Sequence, residues 1–315
     1  MATRRIHISD AYASAIDYIH KRRSGEEKSI KTPWDKMNQA TFNGIEWNNI
    51  IVIGGRPGGG KTMLANLITR EAHRLNSDQD FAVLDFQFEM LAKHTAMREF
   101  AAKTGVASSK LASVFNEVSD EEVKAVLRYA EQNKGKDIYI IEQAGSVKQM
   151  RKDIEQALID FNKPLIVTID HSILVRKDAS EKDSFETLHN LSKMMTEMKR
   201  FKIIFIVLTQ LNRECESVER LKPGTFGNYL LDSDIYGGDA LLQHADLVLG
   251  INNPYKHGLT QYGPLKYPIE NKNTLVLHYL KNRHGEAGLL SFMRAEFERM
   301  MIYDMAAPSP GLKIK

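Results

Sequence analysis

The chain carries one cysteine, Cys215, in 315 residues, so it has no internal disulfide and is not a small, disulfide-stapled secreted domain. Ten histidines are scattered, and no Cys/His cluster has the spacing of a structural zinc site. No uninterrupted apolar run approaches the roughly 20 residues that a membrane span needs. The N-terminal Met-Ala-Thr-Arg-Arg-Ile-His lacks the apolar core of a signal peptide, so a cytoplasmic location is expected. Charge of one sign is also missing. A formal net charge of +3 is nearly neutral for this length and argues against a generally basic nucleic-acid coat, though a local basic groove or pore lining escapes such a sum. There are no internal repeats and no low-complexity tract. What is left is an ordinary globular composition, long enough for one large α/β domain or two small ones.

Apolar runs and helical patterns alternate along most of the chain. The runs are IIVIGG (50–55), FAVLDFQF (81–88), DIYIIE (137–142), PLIVTID (164–170), IIFIVLTQ (203–210) and ADLVLGI (245–251). Helical patterns lie near 61–75, 90–103, 119–133, 147–160 and 183–200. Short, almost fully apolar strands separated by helices predict a mostly parallel sheet covered on both faces. The C-terminal part differs: TLVLHYLKNR (274–283) and LLSFMRAEF (289–297) flank HGEAG and predict an antiparallel hairpin. At the other end, Ile8, Tyr12, Ile16, Tyr18 and Ile19 recur at close to helical spacing. The polar stretch SGEEKSIKTP follows this short amphipathic helix as a tether. The helix either packs on its own domain or uses the tether's reach to dock on a neighbour. The expected organisation is a linker helix and tether over 1–30, a main domain over 31–305 and a flexible tail over 306–315.

Gly55-Arg-Pro-Gly-Gly-Gly60-Lys61-Thr62 fits G-x-x-x-x-G-K-[ST] between a strand and a helix, the context of a phosphate-binding P-loop. Glycines let the backbone N–H groups turn toward a phosphate, and the helix N-terminus adds partial positive charge. The cradle runs through Arg56, Pro57, Gly58, Gly59, Gly60, Lys61, Thr62 and Met63. Lys61 would reach the β- and γ-phosphates of ATP, and the Thr62 hydroxyl would ligate Mg²⁺. Asp170, which ends an apolar strand at the tip where ligands bind in open α/β sheets, reads as a second metal-binding acid or as a strand end that starts a turn. Glu89, in FQFEM, reads as a buried strand-end carboxylate that orients the attacking water or as a helix-starting residue serving the dipole. Gln210 closes IIFIVLTQ and is placed to sense the γ-phosphate or simply to end a strand. Lys281 and Arg283, two apart, share a face of the hairpin and read as cationic fingers for a phosphate or as a solvated basic turn. His171, His244, His278 and His284 read as packed or hydrogen-bonded side chains rather than ligands.

Together these segments resemble the C-terminal motor domain of the DnaB-type replicative helicases, within the RecA-like ATPases, over residues 8–297. IKTPWDKMNQATFNGIEWNNIIVIGGRPGGGKT resembles the family's approach to its P-loop, FAVLDFQFEM the strand before its catalytic glutamate, and PLIVTID its Walker B strand. IIFIVLTQLNR resembles the motif whose glutamine couples nucleotide state to DNA-binding loops, and LKNRHGEAG the finger motif. The resemblance implies a RecA-like fold, makes Glu89 the catalytic glutamate and Asp170 the metal ligand, and gives Gln210 the coupling role. It also sends Lys281 and Arg283 into the adjacent subunit's ATP site and favours docking of the N-terminal helix on a neighbour.

SDIYGGDALLQHAD (233–246) aligns with the family's DNA-binding loop, but Tyr236 and Gly237 stand where the family has Arg and Glu. Glycine-rich backbone N–H groups at Gly237 and Gly238 would hold a phosphate, Tyr236 would stack on a base, and Asp239 would repel phosphate. The family's N-terminal helical domain is not matched, as in a phage or plasmid minimal type or a trimmed chain.

The resemblance implies an ATP- or dTTP-driven hexameric ring that moves 5′ to 3′ on single-stranded DNA and unwinds duplex at a fork. Its partners would be a primase and a helicase loader. Two other readings fit the same motifs: a RecA-like recombination or repair ATPase that forms filaments, and a non-motor nucleotide-gated assembly or loader factor.

Overall fold

A computed structural model describes residues 5–115, 118–222 and 229–310 of the chain. Its organising strand is β1 (Ile50–Gly55), all six residues of which are buried. Side chains alternate across a strand, so Ile51 and Ile53 enter one apolar cluster while Ile50 and Val52 enter another on the opposite face. Helix α3 (Lys61–Leu75) covers the first face with Leu64, Leu67 and Ile68. The second face is covered by α7 (Val147–Phe161), α8 (Ser184–Met198) and α10 (Gly238–His244), through residues such as Met150, Ile154, Leu191, Met195 and Leu241. Each large apolar side chain buried this way contributes about 1.5–3 kcal/mol.

Five further parallel strands build the sheet around β1: β2 (Ala82–Gln87), β3 (Ile138–Ile141), β4 (Leu165–Asp170), β5 (Ile203–Thr209) and β6 (Leu247–Asn252). Two short strands, β7 (Gln261–Tyr262) and β8 (Tyr267–Pro268), form a separate pair. Antiparallel strands β9 (Thr274–Asn282), β10 (Leu290–Glu296) and β11 (Met301–Asp304) extend the main sheet, whose order is β11-β10-β9-β6-β1-β5-β4-β2-β3. Thus β1 is followed in the chain by β2 but pairs with β5 and β6. The apolar runs became strands because each is buried on both faces; β3, at the sheet edge, is only half-buried and leaves Tyr139 exposed. Three further helices, α4 (Ala92–Thr104), α5 (Ser108–Ala112) and α6 (Asp120–Asn133), fill the connection from β2 to β3, and α9 (Val218–Leu221) follows β5.

The polar stretch before the main domain contains more structure than its composition signals. Ile30 pairs with Ile45 in an isolated bridge and is fully buried. Trp34, just before α2 (Asp35–Ala40), is buried and its indole N–H donates to the Ile302 carbonyl of β11 at 2.9 Å. Helix α1 (Ile8–Ser24) is different: none of its residues is buried, and Ile8, Tyr12, Ile16 and Ile19 are each more than half exposed. It therefore does not bury its apolar stripe on its own domain. Residues 306–310 have no regular structure, and the end of the tail lies outside the described residues. No helix among the described residues is long and apolar enough to cross a membrane.

Gly54 marks a tight approach. A Cβ there would collide with Ile235 Cδ1 and meet Leu211 Cδ2 at 3.1 Å. Gly54→Ala is expected to cost about 1–3 kcal/mol of stability through overpacking, read by urea unfolding; parental stability would contradict this packing.

Candidate functional site

The strand order gathers the sequence-predicted residues. The P-loop leaves the C-terminal end of β1, Gln210 follows β5, Asp170 ends β4, and Glu89 lies two residues beyond β2. These four strands are immediate lateral neighbours in the sheet, so residues more than a hundred positions apart meet at one edge. An open cleft of about 750 Å³ forms there, lined by Pro57, Gly58, Gly60, Lys61, Thr62, Met63, Glu89 and Gln210. Gly58 (φ 65°) and Gly60 (φ 98°) adopt left-handed backbone, which a side chain would strain. Gly60 caps α3, so Lys61 starts that helix and Thr62 follows it. Arg56 takes part in the loop through its backbone only. Its guanidinium turns to the Leu211 carbonyl (3.1 Å) and to Glu216 (2.8 Å). From outside the loop, Lys256 donates to the Gly58 carbonyl at 2.6 Å.

Asp170 is 1% exposed, and neither of its carboxylate oxygens has a hydrogen-bond partner. Burial pushes its carboxyl up to about 6; Thr62 and Lys61 oppose the shift, while Glu89 and Asp85 add to it. An under-satisfied buried acid beside a threonine hydroxyl fits Mg²⁺, which is held by one or two protein groups plus substrate phosphates.

Glu89 departs from the sequence reading: it is not a buried strand-end group. It lies on the loop after β2, its side chain is 54% exposed, and its Oε2 is 3.8 Å from Nε2 of buried His171. The strand ends earlier, at Gln87, because the buried ladder with β4 ends there. His171 is packed as expected, with burial as the main cause holding its imidazole below the ordinary value. His278 is buried and shares a 2.7 Å hydrogen bond with the Tyr262 hydroxyl.

Two groups lie away from this cleft. Lys281 and Arg283 sit at the end of β9 that pairs with the start of β6, opposite the P-loop end of the sheet. Tyr236 is tied to the cleft through the backbone: its N–H donates to the Gln210 carbonyl (2.9 Å), and its carbonyl accepts from Thr209 Oγ1 (3.2 Å). Leu211 pairs with Ile235 beside these bonds. The N–H groups of Tyr236 and Gly238 are already used within the chain, the latter on the Ile235 carbonyl (3.0 Å). The Gly238 N–H, one of the two expected to hold a phosphate, is therefore not open to one. Gly237 is buried, because Leu188 packs where its Cβ would lie. The Tyr236 ring stacks beside exposed Phe185, with centroids 6.2 Å apart.

Sequence reasoning missed several cleft residues. Arg98 of α4 faces the cleft with no ion pair among the described residues, and Phe297 and Met300 line its apolar side. Helical periodicity places Arg98 on an ordinary polar face; only the fold brings it to the P-loop.

The family described as DnaB-like helicase C-terminal domain matches residues 15–300. The chain belongs to this family. Within it, a probable replicative DNA helicase of Guillardia theta is 25% identical over 182 residues, covering 55% of the chain and 28% of that relative. The chain thus aligns with little more than a quarter of its curated relative. Among solved structures, an ATPase domain matches with a TM-score of 0.80 at 19% identity, covering 96% of this chain and all of that one. A DnaB-like replicative helicase, solved for its interactions with primase, matches with a TM-score of 0.77 at 19% identity, covering 96% and 68%. A KaiC-like protein of Pyrococcus horikoshii matches at 0.55 and 14% identity, covering 89% and 99%. These likenesses carry the RecA-like fold, with a mostly parallel sheet and an antiparallel C-terminal extension.

The raised Asp170 value has a stability consequence. Since its folded-state pKa lies above the unfolded one, the folded state favours the proton. The associated stability is present below pH 3.8 and is lost as pH rises through about 6. Asp170→Asn should therefore stabilise the nucleotide-free DnaB-like domain at pH 7 by about 1–3 kcal/mol, a gain that disappears below pH 4. Thermal unfolding across pH checks it; an Asn variant less stable at pH 7 would contradict the burial account.

Proposed function

We propose that this DnaB-like domain is the motor of a replicative DNA helicase: an ATP-hydrolysing subunit of a hexameric ring that translocates 5′ to 3′ on single-stranded DNA and unwinds duplex at a fork. The observation that carries the reading is the main-chain bond from Tyr236 to Gln210, which joins a nucleotide cleft to a surface loop. A change at the γ-phosphate would move Gln210, and Gln210 would move the loop.

In the cleft, the P-loop N–H groups and Lys61 bind and orient the phosphates. Thr62 and Asp170 would hold Mg²⁺, which when bound would offset the negative charge of the phosphate oxygens. Glu89, exposed at the cleft mouth, orients and deprotonates the attacking water. Arg98 supplies a cation from the same chain, and Phe297 and Met300 offer an apolar wall for the base. Tyr236 and Phe185 form the face that meets DNA. Gripping that tolerates any base sequence suits a motor at a moving fork.

The site is completed by a second subunit. Lys281 and Arg283 are cations remote from their own cleft, a placement that supports a role in the neighbour's. Two unpartnered apolar surfaces support a closed ring as well: the α1 stripe, and exposed Val114, Phe115, Val123 and Leu127 around α5 and α6. Different patches on one chain make a head-to-tail contact, which closes into a ring when the rotation permits. Primase and a loading factor are the partners such a ring meets at a fork.

Lys61→Ala and Arg283→Ala should each abolish turnover, by at least about a thousandfold for the arginine, with nucleotide still bound by Arg283→Ala. Mixing the two variants should restore part of the activity, since some composite sites then hold an intact Lys61 and an intact Arg283. Mixtures as inactive as the single variants would remove the shared-site reading.

A further inference from the structure

At the end of β1 away from the P-loop, charged groups from several elements converge on one buried acid. Asp246 lies between α10 and β6 and is 2% exposed. Its Oδ2 accepts from the Ile50 N–H (2.9 Å) and from Lys199 Nζ (2.6 Å), and its Oδ1 accepts from Arg283 Nη1 (2.8 Å). The backbone repeats the connection: the Asp246 N–H donates to the Ile50 carbonyl and the Arg283 N–H donates to the Asp246 carbonyl, both at 2.8 Å. Lys281 is fixed nearby by donation to the Leu242 carbonyl. His244, against Thr196 Oγ1 at 2.8 Å, and His189 lie on one side, and Asp246 also lines a cavity with Arg22, Glu46 and His284.

The charges do not balance. Among the described residues, Lys199 and Arg283 have no ion-pair partner other than Asp246, and Lys281 has no ion pair. Lys199 alone would neutralise the carboxylate, so Arg283 adds a second cation to an acid that one already serves. Arg283 also keeps its side chain 46% exposed and touches Asp246 through Nη1 alone. A guanidinium held along one edge still presents donors on the other, in the fork that matches phosphate oxygens.

We propose that Asp246 is a positioning residue for Arg283, fixing one edge of the guanidinium so that the other is presented to a phosphoryl group bound in the cleft of a second copy of this chain. The inference rests on the shared-site reading above and names the group that sets the finger's place. Asp246 grips Ile50, the first residue of the strand whose far end is the P-loop. The finger given to the neighbour is thereby referenced to the same rigid strand that carries the chain's own cradle. A donor already fixed in place needs no rearrangement as charge develops.

The test is Asp246→Asn, measured beside Arg283→Ala. Asp246→Asn should bind nucleotide with parental affinity and lose turnover roughly 10- to 100-fold, the usual effect of removing an orienting partner. Mixed with Lys61→Ala it should regain activity, because its own cleft is intact and the other variant supplies a well-placed arginine. Asp246→Glu, which keeps the charge, should recover part of the turnover and be complemented in the same way. It carries the test if Asp246→Asn no longer binds nucleotide. Parental turnover in Asp246→Asn, or a defect that Lys61→Ala fails to complement while Arg283→Ala is complemented, overturns the assignment. If Arg283→Ala is not complemented either, the shared site itself is wrong.

Discussion

Burial of β1 on both faces and both edges is the constraint on which the rest of the molecule depends. Its six residues pair with β5 on one side and β6 on the other, and both faces lie under apolar clusters. A strand held this way cannot shift register without turning a whole apolar set to the wrong face. Its two ends are therefore fixed relative to each other. One end opens into the P-loop; the other is gripped by Asp246, which carries Arg283 and Lys199. The P-loop and the cations around Asp246 lie at the two ends of a single rigid element.

Function is set against stability at the C-terminal ends of the central strands. Asp170 keeps a carboxylate in the interior with no hydrogen-bond partner, and burying an unpaired polar group is costly. The apolar clusters on both faces of the sheet offset that cost. Two buried acids elsewhere are paired inside the chain: fully buried Asp85 with Arg70 at 2.6 Å, and Asp234 with Arg220. The contrast separates Asp170 from a structural acid. Its partners are expected to arrive with the nucleotide.

Sequence legibility followed the reach of the physical signal. IIVIGG and the helix after it were readable to the residue, because a continuous apolar run and a P-loop are local features. PLIVTID and IIFIVLTQ gave their strands, and their terminal polar residues gave Asp170 and Gln210. Ile30 and Trp34 were hidden because one or two apolar residues in a polar stretch carry no periodicity; their burial comes from contact with Ile45 and with β11. Arg98 and Asp246 were illegible for the same reason, each being an ordinary charged residue until distant strands are brought together. The exposure of Glu89 was misjudged because the end of a strand was equated with the end of its burial. The engagement of the Tyr236 N–H depends on a bridge between segments that sequence does not pair.

We propose that nucleotide hydrolysis in this DnaB-like domain drives strand separation. This coupling is tested most directly by strand displacement on forked duplexes carrying a 5′ tail, a 3′ tail or both, with ATP and Mg²⁺. Displacement that requires the 5′ tail and ATP, and that Lys61→Ala abolishes, is the predicted result. Full ATP hydrolysis with no displacement of any fork would contradict the account.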